Sequence, residues 1–242
     1  MTPALPRLVL LDWLRTLAIV AMVLFHFGRD LEVLGLVPPG TTFGGLWDLS
    51  ARSIASAVLF LAGLSLWLGH GAALRWRPYL ERLGLLVAAA AGITLVTYFA
   101  VPGAWIRFGI LHSIAACSVI GLAFLRLPWV ATLAGAGTAL WAARIEDAGF
   151  DGALWIWTGF AARVPPMIDY EPLAPWLTPF LLGLAFGQMG GARLLRGGPE
   201  APGPWARRLA WPGRHALAIY LIHQPLLVGL LSADAWIWYR GL

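Results

Sequence analysis

The sequence predicts an all-α integral membrane protein, a polytopic bundle of about seven transmembrane helices with a cytoplasmic N-terminus. Hydrophobic residues make up 60% of the 242 residues and charged residues only 12%, whereas a soluble domain carries about 25% charged residues. The mean hydropathy is +0.75. The apolar residues also form stretches of spanning length that are separated by proline- and glycine-rich turns. These observations exclude a soluble enzyme.

Seven apolar stretches define the predicted helices, because about 20 apolar residues are needed to cross the hydrocarbon core of a bilayer. No internal repeat divides the chain, so residues 1–242 are predicted to form a single domain. The fifth stretch is the shortest. The predicted spans are residues 8–29, 51–69, 82–101, 107–125, 128–144, 173–190 and 211–232.

Two polar segments are predicted to lie outside the membrane. Segment 145–172 combines five acidic residues with tryptophan and tyrosine, which favours a long external loop that includes a short interfacial helix. Segment 191–210 is rich in glycine, proline and arginine, and we expect a cytoplasmic loop there.

The arginines set the predicted orientation, because cytoplasmic loops carry an excess of basic residues. All 17 basic residues are arginine, and the net charge of +5 is better explained by this topology than by nucleic-acid binding. Seven spans then place the C-terminus outside. The cytoplasmic side would hold Arg7, Arg75, Arg77, Arg82, Arg126, Arg193, Arg196, Arg207 and Arg208, and the external side Arg29, Arg52, Arg107, Arg144, Arg163 and Arg240.

The first predicted helix carries ionisable residues that are rare in a membrane unless they face protein or water. Arg15 and His26 are eleven residues apart, so they share one helix face at a separation of roughly 16 Å. Asp30 lies one turn beyond His26 and could orient it as a general base; the alternative is a histidine at a helix end that is hydrated by water. Arg15 could bind a phosphate, pair with Asp12, or extend to the interface.

Two further histidines are predicted at depths where they could meet His26. His112 lies near the outer end of the fourth span and His223 lies inside the last span. Each could equally be a hydrogen-bonding residue between helices. Three histidines could also bind a metal, but no spacing is typical of metal ligands, and we predict none. The single cysteine, Cys117, excludes an intrachain disulfide.

Six segments carry a resemblance to a known family, and their order is more specific than any one of them. They are residues 11–15 (LDWLR), 24–27 (LFHF), 60–65 (FLAGLS), 108–112 (FGILH), 169–176 (DYEPLAPW) and 213–225 (GRHALAIYLIHQP). The chain resembles the bacterial relatives of the catalytic domain of heparan-alpha-glucosaminide N-acetyltransferase, in the wider group of transmembrane acyltransferases. The spacing of Arg15 and His26 is also similar to the arginine–histidine signature of the acyltransferase 3 family.

The resemblance implies an enzyme of the bacterial inner membrane that takes an acetyl group from cytoplasmic acetyl-CoA. It would deliver the group to a sugar hydroxyl or amine on the external side. The chain is shorter than typical members and lacks the lumenal region of the eukaryotic enzyme, and the acceptor stays open. The expected partners are a carbohydrate or glycolipid acceptor and the lipid bilayer, with no nucleic acid; a homo-oligomer is an open alternative.

The resemblance also suggests roles for the candidate residues. His26, oriented by Asp30, would be the catalytic base, or alternatively the nucleophile of an acetyl-histidine intermediate. His112 and His223 would polarise the thioester or position the acceptor. The CoA phosphates would bind Arg15, Arg75, Arg77 and Arg82, and the acceptor would contact Asp169, Tyr170 and Gln224.

Two other classes of function fit the same residues. Intramembrane histidine, arginine and aspartate also serve proton relays in small transporters and flippases, although no internal repeat supports that interpretation. A non-catalytic membrane partner in envelope-glycan assembly is the third hypothesis.

Overall fold

The computed structural model describes residues 8–197 and 203–240, with the side chains other than those at 192, 196, 197 and 234–240. These residues confirm the all-α prediction, because they form helices and no β-strand. Two short 3-10 helices cover Ala148–Phe150 and Gly191–Gly197. The α-helices are α1 (Val9–Val33), α2 (Gly45–His70), α3 (Trp76–Ala100), α4 (Ile110–Phe124), α5 (Trp129–Ala142), α6 (Leu173–Gln188), α7 (Pro204–Arg214) and α8 (Ala216–Arg240).

Each predicted span coincides with a helix, and turn residues mark several boundaries. Pro128 and Pro172 stand immediately before α5 and α6, where an extended residue can cap the helix. Gly35 follows α1 with φ of 72°, a left-handed conformation that favours glycine.

The segment 191–210 differs from the prediction of a loop, because α7 begins inside it at Pro204 and continues to Arg214. Proline is favoured in the first turn of a helix, where its missing N–H costs nothing. The last long helix consequently begins at Ala216, five residues later than expected. Residues 198–202 of this segment, and the predicted cytoplasmic Arg7, lie outside the described residues.

Four of the described helices are long and apolar enough to cross a membrane: α1, α2, α3 and the Ala216–Ala233 part of α8. Helices α4 and α5 are apolar but have only 15 and 14 residues. At about 1.5 Å per residue they extend roughly 21–23 Å, which is less than the hydrocarbon thickness of about 30 Å. The count of seven spans therefore stays a prediction.

The chain divides into two compact units, residues 1–55 with 193–242, and residues 56–192. In the first unit, α1 packs against α7 and α8. The Trp13 indole donates to the Ala206 carbonyl, and the Thr16 hydroxyl donates to the Leu209 carbonyl while accepting from the Gly213 N–H. A Cβ on Gly213 would lie 1.9 Å from the Asp12 carbonyl oxygen, so only glycine fits this contact.

Helices α1 and α8 run in the same direction. Gly213, just before α8, contacts Thr16, whereas His223 bonds to His26 and Gln224 bonds to Asp30. Positions on the two helices therefore increase together. If both helices cross the membrane, the segments between them must cross it an odd number of times to bring the chain back to its starting side before α8. The total number of crossings is then also odd, which agrees with seven and not with four.

The second unit is built around a close crossing of α2 and α6. A Cβ on Gly63 would lie 1.9 Å from the Phe180 carbonyl oxygen, and a Cβ on Gly183 would lie 1.9 Å from the Phe60 carbonyl oxygen. Small residues permit such backbone contact between membrane helices. Helix α6 also packs against α4 and α5, and α3 packs against α4.

The predicted external loop is confirmed as irregular, with the 3-10 turn at Ala148–Phe150 in place of the expected interfacial helix. Its C-terminal part is fixed by backbone hydrogen bonds to the segment before α4. Ile168 N–H donates to the Ala104 carbonyl, and Glu171 N–H donates to the Phe108 carbonyl. The loop is therefore an ordered part of the second unit.

The parallel direction of α1 and α8 predicts opposite membrane sides for the chain ends. Alkaline phosphatase fused after Leu242, which lies outside the described residues, should be active, whereas the same fusion in the loop before α3, after Ala73, should be inactive. A fluorescent cytoplasmic reporter is the reciprocal control at both points. Cytoplasmic fluorescence at Leu242 would contradict the odd number of crossings.

Candidate active site

Two imidazole rings meet inside the first unit. The Nδ1 atom of His26 on α1 lies 2.9 Å from the Nε2 atom of His223 on α8. His223 is buried, and its Nδ1 atom lies 2.7 Å from the Tyr220 carbonyl oxygen. The predicted meeting of His26 with His223 is therefore seen in the geometry.

The Tyr220 carbonyl fixes the protons on both rings, because a carbonyl oxygen only accepts hydrogen bonds. His223 Nδ1 must donate to that carbonyl, so the Nε2 atom of neutral His223 accepts. His26 Nδ1 is then the donor, and His26 Nε2 carries the lone pair. Among the described residues His26 Nε2 has no hydrogen-bond partner, which leaves it available to receive a proton from a bound molecule.

Asp30 has a different partner from the one predicted. Its Oδ1 accepts a 2.8 Å hydrogen bond from Gln224 Nε2, and it forms no hydrogen bond with His26 within the described chain. The hydrogen-bond partner of His26 is His223 and not the predicted Asp30. Asp30 is buried, and its Oδ2 atom and the Oε1 atom of Gln224 are both buried without a donor among the described residues.

Arg15 pairs with Asp12 at 3.1 Å, and its side chain is 30% exposed. This geometry supports the interpretation of Arg15 as half of an ion pair, one of the alternatives at the sequence level. Asp12 is buried, so the pair also neutralises a carboxylate in an apolar environment. The partly exposed guanidinium remains accessible from one side.

A basic groove on α7 was not predicted. Arg207, Arg208, Trp211 and Arg214 line a groove of about 380 Å³, and these arginines form no ion pair within the described ranges. The groove lies on a helix that packs against α1 at Asp12 and Thr16. Arg207, Trp211 and Arg214 have i, i+4, i+7 spacing, the sequence signal that would have revealed a helix face here.

His112 belongs to the second unit, where both of its ring nitrogens have partners. Its Nδ1 accepts from the Gly109 N–H at 3.2 Å and thereby caps α4. Its Nε2 lies 3.2 Å from the Thr94 hydroxyl, and because that hydroxyl donates to the Ile106 carbonyl, His112 is the donor. These contacts favour the structural interpretation of His112 over a catalytic one.

Asp169 and Tyr170 hold the loop 145–172 against the rest of the second unit. Asp169 Oδ2 accepts from the Ile110 N–H at 2.9 Å, at the N-terminus of α4, where a negative charge is favourable. The Tyr170 hydroxyl donates to the Ile156 carbonyl at 2.8 Å. A Cβ on Gly109 would lie 2.1 Å from the Asp169 carboxylate. Acceptor binding by Asp169 and Tyr170 stays a prediction.

Glu171, next to Asp169 and Tyr170, is a functional candidate that the sequence analysis did not single out. Its Oε2 is buried and has no hydrogen-bond partner among the described residues. Burial and, to a smaller extent, the nearby Asp169 carboxyl raise the pKa of Glu171 to about 9. Burial also raises the pKa of Asp169 to about 6. Glu171 therefore stays protonated at neutral pH.

The arginines predicted to bind CoA at the start of α3 have local partners. Arg77 pairs with Glu81 at 2.9 Å on the protein surface, and Arg75 Nε donates to the Gly69 carbonyl. The backbone N–H of Arg75 donates to His70. Arg82 lies close enough to His70 to influence its charge. The position of these basic side chains at the protein surface is the one feature of this segment that supports phosphate binding.

The family model of the catalytic domain of heparan-alpha-glucosaminide N-acetyltransferase matches residues 7–225. The chain belongs to this family. The match extends from the start of α1 to Pro225 in α8 and so includes His26, Asp30, His223 and Gln224. No curated protein and no solved structure matches the chain. The family confirms the resemblance and makes the protein an acetyltransferase-type membrane enzyme, of a family that uses acetyl-CoA as co-substrate.

The raised pKa of Glu171 predicts a pH-dependent stability. The folded protein keeps this proton up to about pH 9, whereas the unfolded chain loses it near the usual value of 4.5. The contribution is complete below pH 4.5 and is lost as the pH rises through 9. The melting temperature in detergent should therefore fall between pH 5 and pH 9, and Glu171→Gln should flatten that decline.

Glu146→Gln, at an exposed carboxylate in the same loop, is the matched control and should leave the decline unchanged. If the melting temperatures of the wild type and Glu171→Gln fall equally with rising pH, the Glu171 carboxyl is ionised in the folded protein.

Proposed function

We propose that the protein transfers the acetyl group of cytoplasmic acetyl-CoA to an amino or hydroxyl group of a sugar on the external side of a bacterial inner membrane. The observation that carries this proposal is the hydrogen bond between His26 and His223. It lies in the matched region of an N-acetyltransferase family and leaves one imidazole lone pair ready to accept a proton.

The chemistry needs one proton acceptor and one path for the leaving thiol. His26 Nε2 removes a proton from the acceptor amine or hydroxyl as the acceptor attacks the thioester carbonyl. The C–S bond then breaks, the acetyl group stays on the acceptor, and the proton passes to the CoA sulfur. His223 accepts the hydrogen bond from His26 Nδ1 and holds the ring in the productive tautomer, as a carboxylate does in a catalytic triad.

The acceptor's polar hydrogens have suitable partners beside His26. Asp30 Oδ2 and Gln224 Oε1 are buried acceptors without donors in the described part of the chain, and a buried unpaired acceptor is costly. Either atom could accept a hydrogen bond from a bound amine or hydroxyl. An amine has two hydrogens that these two atoms could accept, which agrees with the N-acetyltransferase activity that the family implies.

The CoA phosphates are assigned to the basic groove on α7, with Arg15 beside it. Guanidinium groups bind phosphate oxygens in pairs, and the three arginines of the groove have no competing carboxylate within the described residues. Arg15 and His26 are separated by roughly 16 Å along α1, so an extended pantetheine arm could connect the groove with the base. The arginines at the start of α3 are the second candidate.

The first prediction of this scheme concerns the two histidines. In proteoliposomes with labelled acetyl-CoA outside and glucosamine inside, His26→Ala should lower the transfer rate by about 10²–10⁴-fold, because the general base is lost. His223→Leu should lower kcat by about 10²-fold without the loss of acetyl-CoA binding, since the ring of His26 loses its acceptor. His223→Gln, whose carbonyl oxygen can replace Nε2 as acceptor, should retain much more activity.

The control is His215→Gln assayed at saturating acetyl-CoA, because His215 is exposed, lies eight residues before His223, and contacts the Trp211 carbonyl and ring. Equal loss in His223→Leu and His223→Gln would remove His223 from the positioning role. Movement of glucosamine without consumption of acetyl-CoA would favour a transporter over an acyltransferase.

The second prediction separates the two candidate phosphate sites. Replacement of Arg207, Arg208 and Arg214 by glutamine should weaken acetyl-CoA binding by at least about tenfold, since charge-assisted hydrogen bonds are lost. The triple replacement of Arg75, Arg77 and Arg82 should have a smaller effect. Isothermal titration calorimetry with acetyl-CoA on the purified variants measures both.

Arg15 requires a paired design, because Arg15→Gln alone leaves the buried Asp12 carboxylate without its partner. Arg15→Gln combined with Asp12→Asn removes both charges and tests binding without that penalty. Unchanged affinity in this double variant would assign Arg15 to structure alone, and unchanged affinity in the α7 triple variant would place the phosphates elsewhere.

A further inference from the structure

A long groove runs along α3 in the second unit and has no role in the scheme above. Its α3 wall is a stripe from Val87 to Tyr98, and its other wall is the segment 105–115. Val87 and Tyr98 are eleven positions apart, which is roughly 16 Å at the rise of a helix. The groove encloses about 740 Å³, and the alanines at positions 90, 91 and 115 give it depth.

The groove is apolar along most of its length. An 18-residue stretch of helix α3 has a mean hydropathy of 2.0, and α3 is one of the helices long and apolar enough to span the membrane. The polar groups Thr94 and His112 at the groove already satisfy each other and nearby backbone. An elongated apolar surface on a helix that can span a membrane is suited to hydrocarbon and not to a sugar or a nucleotide.

One end of the groove carries an uncompensated positive charge. The Arg107 guanidinium lies over the Trp105 ring at 4.4 Å and donates at 3.5 Å to the Pro166 carbonyl, but it forms no ion pair with any described residue. Residues 101–109 connect α3 with α4, and the predicted topology places Arg107 on the external side. An arginine supported by tryptophan and Tyr98 at an interface is suited to a phosphate at the end of a hydrocarbon chain.

We propose that this groove binds the hydrocarbon chain of a lipid-linked sugar acceptor, with the lipid phosphate against Arg107. The proposal rests on the proposed function, because it names the class of acceptor that the acetyl group would reach. The groove follows a single stripe of α3 and so fits one chain, as in a polyprenyl phosphate sugar, whereas a bilayer phospholipid carries two. The charge at the mouth and the chain-shaped apolar wall are complementary to that one kind of ligand.

Two substitutions test the proposal, one that fills the groove and one that removes its charge. The binding of the lipid-linked sugar is measured directly. Native mass spectrometry of the full-length protein in detergent would use undecaprenyl-phosphate-linked glucosamine as probe, with phosphatidylglycerol and free glucosamine as comparisons. The wild type should bind the lipid-linked sugar at least about tenfold more tightly than phosphatidylglycerol. Ala91→Leu should weaken that binding by about tenfold or more because the leucine occupies the chain's space, and Arg107→Gln should weaken it similarly.

Ala88→Leu is the matched control, since Ala88 is an exposed residue of the same helix outside the groove; it should bind like the wild type. Equal binding by Ala91→Leu and Ala88→Leu, or equal affinity for phosphatidylglycerol and the lipid-linked sugar, overturns the proposal. Transfer to free glucosamine without any lipid-linked binding would leave the acetyltransferase function standing and defeat the groove alone. Groove-dependent binding without acetyl transfer would support the groove proposal and defeat the acetyltransferase function.

Discussion

The requirement that ionisable groups inside a membrane be paired within the protein governs the first unit. Helix α1 carries His26 and Asp30 at depths where water is scarce, and α8 supplies a partner for each, His223 and Gln224. An unpaired polar group in hydrocarbon costs several kcal/mol. The two cross-helix hydrogen bonds therefore fix the register and direction of α8 on α1, and the same bonds leave the lone pair that the chemistry requires.

The other end of α1 is held by backbone contacts instead of side-chain charges. Gly213 has no side chain and lies against the Asp12 carbonyl, while Thr16 bonds to two backbone groups of α7. This fixation keeps the arginine-bearing face of α7 next to the start of α1. A polar site and a basic groove thus sit at opposite ends of one helix, an arrangement suited to a donor with charged phosphates at one end and a reactive thioester at the other.

Much of the fold was predictable because lipid demands long apolar stretches, and each predicted stretch contains a helix. Helix α7 was missed because its composition is that of a loop, although the i, i+4, i+7 spacing of Arg207, Trp211 and Arg214 is typical of a helix face. The meeting of His26 with His223 was predictable from depth alone. The partner of Asp30 was not, because it depends on the rotation of α8, and the capping role of His112 depends on backbone geometry at Gly109.

The pairing of His26 with His223 joins residues 197 positions apart in the chain, one in α1 and the other in α8. During synthesis α1 enters the bilayer with its histidine and aspartate lacking their final partners until α8 is complete. A chain that stops before Tyr220 would thus retain most of its helices yet lack the assembled dyad. The proposed reactive centre is therefore complete only after α8 has been made and has packed on α1.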